Sequence, residues 1–403
     1  EKKELLRGGQ FLVKETSCDD VFTPEDFSEE QTMMKEAVME FNNREIIPYK
    51  ARFEAKDYAL TEEVMRKAGE LGFLGVAVPE AYGGLGMGFV STLLTCDYIS
   101  SGTGSFSTAF GAHTGIGTLP ITLYGTEEQK EKFLKPLASG QIHGGFCLSE
   151  PEAGSDATSQ KTTAIDMGDH YLLNGTKNWI TNGRTGSTFL VVAQTDVEKG
   201  HKGINCLIVT SDMEGFTVGT KEDKLGIRGS DTHSLMFQDV KVPKENRIGE
   251  DGFGFKFAMK VLSGGRIGIA AQALGIASGA YERALQYSKE RKAFGTEIMN
   301  HQIIQFKLAD MATKIEAARL FCLKAAYLKD SGQDFLEAAC MAKLFASETA
   351  MWVTTEAVQI HGGYGFVKEY HVERMMRDAK ITQIYEGTSE VQRIVIARGI
   401  LKD

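Results

Sequence analysis

Tyr171-Leu172-Leu173-Asn174-Gly175, Thr188-Phe189-Leu190-Val191-Val192-Ala193 and Ile204-Asn205-Cys206-Leu207-Ile208-Val209 are the runs that decide the fold. They are short, aliphatic and bounded by turn-forming residues, so they read as strands, with Asn174-Gly175 as a hairpin signal. No helical period interrupts the stretch from about 146 to 248, which implies an antiparallel barrel or sandwich. On either side the period changes. Residues from about 24 to 143 have helical spacing, as in Met33, Met34, Ala37, Val38 and Phe41. Thr23-Pro24-Glu25-Asp26 reads as an N-cap, a first-turn proline and first-turn acids. Gly83-Gly84 and Gly102-Thr103-Gly104 separate helices, and Gly125-Thr126-Glu127-Glu128-Gln129 opens another. After Asp251-Gly252 long apolar stripes at 266–290, 303–329 and 335–360 predict a helical bundle. The expected architecture is α+β and multidomain: an N-terminal helical domain (1–145), a middle antiparallel β-barrel (146–250) and a C-terminal four-helix bundle (251–403).

Composition narrows the function. Of 403 residues, 45 are Lys or Arg and 54 Asp or Glu, a net charge of −9 with the bases dispersed, which disfavours nucleic acid as a partner. No apolar run is long enough to span a bilayer, and Glu1-Lys2-Lys3-Glu4 lacks the apolar core of a secretory signal. Six cysteines (18, 96, 147, 206, 322, 340) make no Cys-x-x-Cys and read as reduced thiols, and the eight histidines form no metal-ligand set. The chain stops at Asp403 straight after a helical segment, which leaves a longer gene product open.

Gly-x-Gly-x-x-Gly after a strand and Walker-type loops are both missing from the sequence, so a bound nucleotide needs another architecture. Five segments carry candidate chemistry. Phe146-Cys147-Leu148-Ser149-Glu150-Pro151-Glu152-Ala153-Gly154-Ser155-Asp156 is a turn whose small side chains permit close backbone approach to a polar group; alone, it reads equally as a connection. In Asn178-Trp179-Ile180-Thr181-Asn182-Gly183 a strand-end tryptophan either stacks on a planar ring or fills core. Arg291-Lys292-Ala293-Phe294-Gly295 with His301-Gln302 either grips phosphate and amide edges or ends a helix with a glycine cap. Gln359-Ile360-His361-Gly362-Gly363-Tyr364-Gly365 ends an apolar helix in a glycine turn against which a cofactor can press. In Ile384-Tyr385-Glu386-Gly387-Thr388-Ser389-Glu390-Val391-Gln392, Ser389-x-x-Gln392 fits a capping box, which puts Glu386 on the loop before a helix. A carboxylate there, among apolar residues, suits a general base or is simply solvated.

Taken in order, these five motifs, with Pro79-Glu80-Ala81-Tyr82-Gly83-Gly84 and Leu225-Gly226-Ile227-Arg228, resemble the acyl-CoA dehydrogenase family across residues 25–400. The resemblance implies FAD between the β domain and the C-terminal helices. Phe146, Leu148, Ser149, Gly154 and Ser155 would line the flavin, with Ser155 also facing the acyl-CoA, and Trp179, Ile180 and Thr181 would lie against its ring. Arg291, Phe294 and Gln302 would reach the FAD of a neighbouring subunit, with Gln359, Gly362 and Gly363 on its other face. That shared site implies a homo-oligomer, commonly a tetramer. Thr388 and Glu390 would complete the cofactor pocket; Arg266, Tyr385 and Gly387 would bind the substrate, Arg266 at its CoA portion.

Glu386 matches the family's base, which removes the α-proton of a saturated acyl-CoA while the β-hydride leaves to flavin N5, giving the trans-2-enoyl-CoA. Related subgroups carry the base just before the arginine of the preceding helix, but here that position is Gly265. The resemblance also implies electron-transfer flavoprotein as the acceptor, and a cytoplasmic (bacterial) or mitochondrial-matrix (eukaryotic) enzyme of fatty acid oxidation. Gly8-Gly9-Gln10-Phe11-Leu12-Val13-Lys14-Glu15 resembles the opening of very-long-chain-type members. The competing readings are an acyl-CoA oxidase that uses dioxygen and a non-catalytic flavin-bearing scaffold.

Overall fold

Side-chain caps decide where the first helices begin. In the computed structural model, which describes residues 21–401, Thr23 caps only a three-residue 3₁₀ turn, Pro24–Asp26, because Phe27 turns extended. The long helix starts at the next cap. The Ser28 hydroxyl accepts from the Gln31 N–H at 3.2 Å, and the Gln31 side chain accepts from the Ser28 N–H at 3.0 Å. Among the described residues, seven α-helices lie in this part of the chain: α1 (Glu29–Phe41), α2 (Lys50–Glu54), α3 (Tyr58–Glu70), α4 (Phe89–Gly102), α5 (Gly104–Gly111), α6 (Leu119–Tyr124) and α7 (Glu127–Ala138). Asp57, Thr103 and the Thr126–Gln129 box cap α3, α5 and α7. The Gly8–Glu15 stretch and Cys18 lie outside the described residues.

The middle of the chain forms an open, half-barrel sheet. Its strands are β1 (Gly144–Cys147), β2 (Thr163–Asp166), β3 (His170–Thr181), β4 (Thr188–Gln194), β5 (Ile204–Thr210), β6 (Phe216–Lys221) and β7 (Thr232–Pro243). β3 pairs antiparallel with β2 and β7, and β4 with β5; β1, however, runs parallel to β4 (Gly144↔Thr188 to Cys147↔Val191). The excursion through β2 and β3 between these two strands makes a same-direction pairing possible. Asn174-Gly175 is not the hairpin turn. Gly175 (φ 147°) sits at a bulge inside β3, while the β2–β3 turn is at 167–169, where the Met167 N–H donates to the His170 carbonyl. Asn174 is occupied in exchanging hydrogen bonds with Asp239 across the sheet.

The C-terminal bundle comprises α8 (Gly254–Glu290), the small hairpin β8 (Lys292–Ala293) and β9 (Thr296–Glu297), α9 (Gln302–Asp330), α10 (Leu336–His361), α11 (Val372–Ile381) and α12 (Ser389–Ile400). α8 is buried almost all round: Ala270, Ala271, Ala273, Ala277, Ala280 and Ala284 pack against alanines 339, 342, 346, 350 and 357 of α10. Small residues bring the axes close. A Cβ at Gly275 or Gly279 would collide with the carbonyls of Asp97 or Ser101 on α4, so these glycines let α4 and α8 meet backbone to backbone. The β domain docks on α11 through Leu225-Gly226-Ile227-Arg228. The Ile227 N–H donates to the buried Asp378 carboxylate, Arg377 donates to the Leu225 carbonyl at 2.9 Å, and a side chain at Gly226 would strike the Arg377 carbonyl. This contact fixes the strand domain against the helix that leads into Glu386.

Candidate active site

Residues 382–388 join α11 to α12. Thr388, not Ser389, is the cap: its hydroxyl accepts from the Val391 N–H at 3.3 Å. Gln392 is therefore free of capping, and its amide donates to the carbonyls of Glu386 (3.4 Å) and Gly387 (2.8 Å). Lys343 of α10, wholly buried, donates to the carbonyls of Thr382 (3.0 Å) and Gly387 (2.7 Å). So held, Glu386 (φ 52°) and Gly387 (φ 93°) are both left-handed. For a glutamate that conformation costs ~1–3 kcal/mol and persists only where the surroundings impose it.

The carboxyl group turns inward. Oε2 of Glu386 is buried with no hydrogen-bond partner among the described residues. A Cβ at Gly265 would collide with that oxygen, so the bare backbone of α8 makes the space the carboxylate fills. Burial pushes its pKa up to about 7, against the opposing pull of the Lys343 and Arg266 charges. The backbone N–H of Glu386 likewise has no partner among the described residues. Next to it, the Tyr385 hydroxyl donates to Oε1 of buried Gln272, whose amide reaches the hydroxyls of Ser107 (3.1 Å) and Thr108 (2.9 Å) on α5. Arg266 is buried near Glu386 and Cys340, its Nε without a partner among the described residues. Gly387 backs the loop, and Glu390 is exposed in the first turn of α12.

A second face belongs to the sheet. The β3–β7 register slips between Lys177 and Ile180, and this bulge throws the Trp179 ring out of the ladder, 56% exposed with φ 58°. The core reading of that tryptophan is thereby excluded. Ile180 is buried and pairs with His233; Thr181 pairs with Thr232. The Asn178 N–H donates to the Ser149 carbonyl at 2.9 Å, which joins the segment of Phe146, Leu148 and Ser149 to the bulge. Beneath both lies Lys177, fully buried, bonded to the Leu148 carbonyl (3.0 Å) and Glu150 (2.8 Å). Burial raises the Glu150 carboxyl pKa, but Lys177 and the N–H groups of Thr162 and Lys161 outweigh that and hold it below the usual range. Gly154 and Ser155 lie exposed on the turn beyond.

The third set is elsewhere. Arg291 follows the end of α8, roughly 38 Å (25 residues at ~1.5 Å) along the helix from Gly265. There is no glycine cap at this helix end; Phe294 (φ 52°) and Gly295 (φ 83°) instead form the two-residue loop of the β8–β9 hairpin, with Phe294 97% exposed. Arg291 lies over the Tyr364 ring at 5.5 Å, Phe294 packs edge-on to His301, and Gln302 opens α9. Gln359, Gly362 (φ 61°) and Gly363 are exposed at the end of α10. Within one chain this patch and Glu386 belong to separate places.

Family models for the N-terminal, middle and C-terminal domains of acyl-CoA dehydrogenase match residues 28–141, 145–240 and 252–401. The chain belongs to the acyl-CoA dehydrogenase family. It is similar to the short-chain-specific acyl-CoA dehydrogenase of Clostridium acetobutylicum, with 48% identity over 93% of this chain and 98% of the relative. The butyryl-CoA dehydrogenase structure from Megasphaera elsdenii superposes with a TM-score of 0.90 and 46% identity, covering 94% of this chain and 99% of that one. A caffeyl-CoA reductase–Etf complex subunit from Acetobacterium woodii is 43% identical over 93% and 99% of the two chains. For this acyl-CoA dehydrogenase family member, sequence reading missed Lys343, Gln392, Lys177 and Gln272. Lys343 and Gln272 are polar residues inside otherwise apolar helical periods; that is the signal that marks those two, and it carries no address for the partner.

Proposed function

We propose that the chain is an FAD-dependent acyl-CoA dehydrogenase that removes the α-proton and β-hydride of a short saturated acyl-CoA. The observation that carries this is the Glu386 carboxylate: its Oε2 is buried and unpaired against bare helix backbone, and burial pushes its pKa up to about 7. A base for a weakly acidic C–H works best when its pKa is near the operating pH and water is kept away. Glu386 takes the α-proton on its buried oxygen. Its own unpartnered N–H is a donor for the thioester carbonyl, whose oxygen gains charge as the proton leaves.

A flavin fits the residues present: Trp179 is bulged outward beside the Ser149 segment, an aromatic face that the sheet itself does not use. Phe146, Leu148, Ser149, Gly154, Ser155, Trp179, Ile180 and Thr181 would hold the ring, with Thr388 and Glu390 nearby. Arg291, Phe294, Gln302, Gln359, Gly362 and Gly363 would hold the cofactor of a neighbouring subunit in a homotetramer. Bound there, FAD supplies at N5 the acceptor for the departing hydride.

The acyl tail lies along α8, with Arg266, Tyr385 and Gly387 at its thioester end and Arg266 toward the CoA. Seven residues beyond Gly265 on the same helical face, about 10 Å deeper, stands Gln272 with its Ser107, Thr108 and Tyr385 partners. A polar plug at that depth supports a short chain, as do the names of the Clostridium and Megasphaera relatives. Electron-transfer flavoprotein is the acceptor this reading favours, on the complex to which the Acetobacterium relative belongs. Anaerobic titration with saturated acyl-CoAs of graded length, watching the flavin bleach, tests the whole reading. Bleaching by four-carbon substrates that fades with length is expected. A colourless protein, or a flavin that no acyl-CoA bleaches, would overturn it.

A further inference from the structure

Lys343 stands apart from the residues the reaction itself requires, and the role inferred for it rests on Glu386 being the base. It is a lysine with no exposed surface, set on α10 beneath residues 382–387. Burying an ammonium group is costly unless its donors are matched and its charge opposed. Two of its donors go to Thr382 and Gly387, the residues on either side of 383–386, so one ammonium spans both ends of the segment that carries the base. Gln392 adds a second donor to the Gly387 carbonyl. The acidic group whose field supports Lys343 is Glu386. The groups that face the Glu386 carboxylate are Arg266 from α8, Lys343 from α10, Cys96 from α4 and Tyr385 from the loop itself, with Cys340 of α10 beside Arg266. Of these, Lys343 alone is joined to the loop backbone at both ends.

We infer that Lys343 is a positioning residue for proton abstraction: its ammonium clasps the loop in the left-handed turn that points Glu386 at Gly265, and presents a positive charge to the carboxylate. The two duties separate by substitution. Lys343→Met removes both donor and charge; Lys343→Gln leaves a donor to the Gly387 carbonyl without the charge.

The test pairs turnover with an infrared titration of the Glu386 carboxyl band, taken as the parent-minus-Glu386→Gln difference spectrum, so that one readout is independent of activity. With Lys343→Met, kcat at pH 7 should fall about tenfold or more with KM changed less than about threefold. Both the ascending limb of the kcat–pH profile and the infrared midpoint should move up by roughly one unit, the size of effect an opposite charge a few ångströms away exerts. Lys343→Gln should show the same upward shift with the smaller loss of kcat, and Lys343→Arg should keep the parent midpoint. Unmoved midpoints in both uncharged variants, even with lowered thermal stability, overturn the proposal, because a merely structural lysine predicts that result. Should neither uncharged variant fold, the Lys343 side-chain nitrogen resonance in the parent and in Glu386→Gln decides. Removing the carboxylate should lower the lysine's titration midpoint, and equal midpoints overturn the coupling. Glu386→Gln also separates the two readings: near-full activity there removes the base assignment, whereas an inactive Glu386→Gln with unmoved Lys343 midpoints removes only this proposal.

Discussion

The two ends of α8 are built on opposite principles. Near Gly265 the polar groups are sunk in the protein: Lys343 and Gln392 hold the loop's carbonyls, Gln272 holds Tyr385, and the Glu386 carboxylate fills a space that only the glycine's missing side chain leaves. Near Arg291 the groups are large, aromatic and uncovered, with Phe294, Tyr364 and Phe366 all exposed. A contiguous exposed apolar patch marks a surface meant to be covered. The contrast teaches that the proposed proton chemistry would be prepared by folding alone, while the proposed grip on the cofactor's far end waits on association.

The sharpest way to break this contrast is at the proposed base. Glu386→Gln should keep flavin and ligand binding and lose turnover by about a thousandfold, within the range general bases contribute; a steady-state assay showing loss of only a few fold would reject the assignment. Next comes the buried pair under the sheet face. Lys177→Met strands the Glu150 carboxylate in the interior, at a cost of roughly 3–5 kcal/mol, and should release flavin together with the lowered melting temperature seen by calorimetry. At the exposed end the outcome should differ in kind. Phe294→Ala should leave the melting of the flavin-free chain almost unchanged, since its ring packs so little, yet weaken flavin retention and association by about tenfold in gel filtration with absorbance detection.

A smaller effect sharpens the enclosed end. Because Glu386 titrates near pH 7 when folded and at 4.5 ordinarily, the folded state holds the extra proton between those values. That contribution is complete below pH 4.5 and is lost as pH rises through 7. Turnover should accordingly rise across pH 7, and the melting temperature of Glu386→Gln should exceed the parent's by a few degrees more at pH 8 than at pH 5. An equal difference at both pH values would mean the carboxyl is solvated.

Sequence alone determined the succession of helical, strand and helical regions, because hydrophobic period is a local property: the helix starts at Thr126 and the strands at 188 and 204 need only their own residues. It also placed Glu386 on a loop and, through the ordered motifs, named the family. The cap it misplaced, Ser389, lost to the adjacent Thr388 hydroxyl, and the turn it misplaced, Asn174-Gly175, is a place where a distant partner, Asp239, chooses. What only the tertiary structure decided is the environment of Glu386, the proposed base. Lys343 is 43 residues from Glu386 in the chain and Gly265 is 121, and no local rule brings them together. A carboxylate's pKa is set by what excludes water and what charge remains near, and both are consequences of packing rather than of residue type.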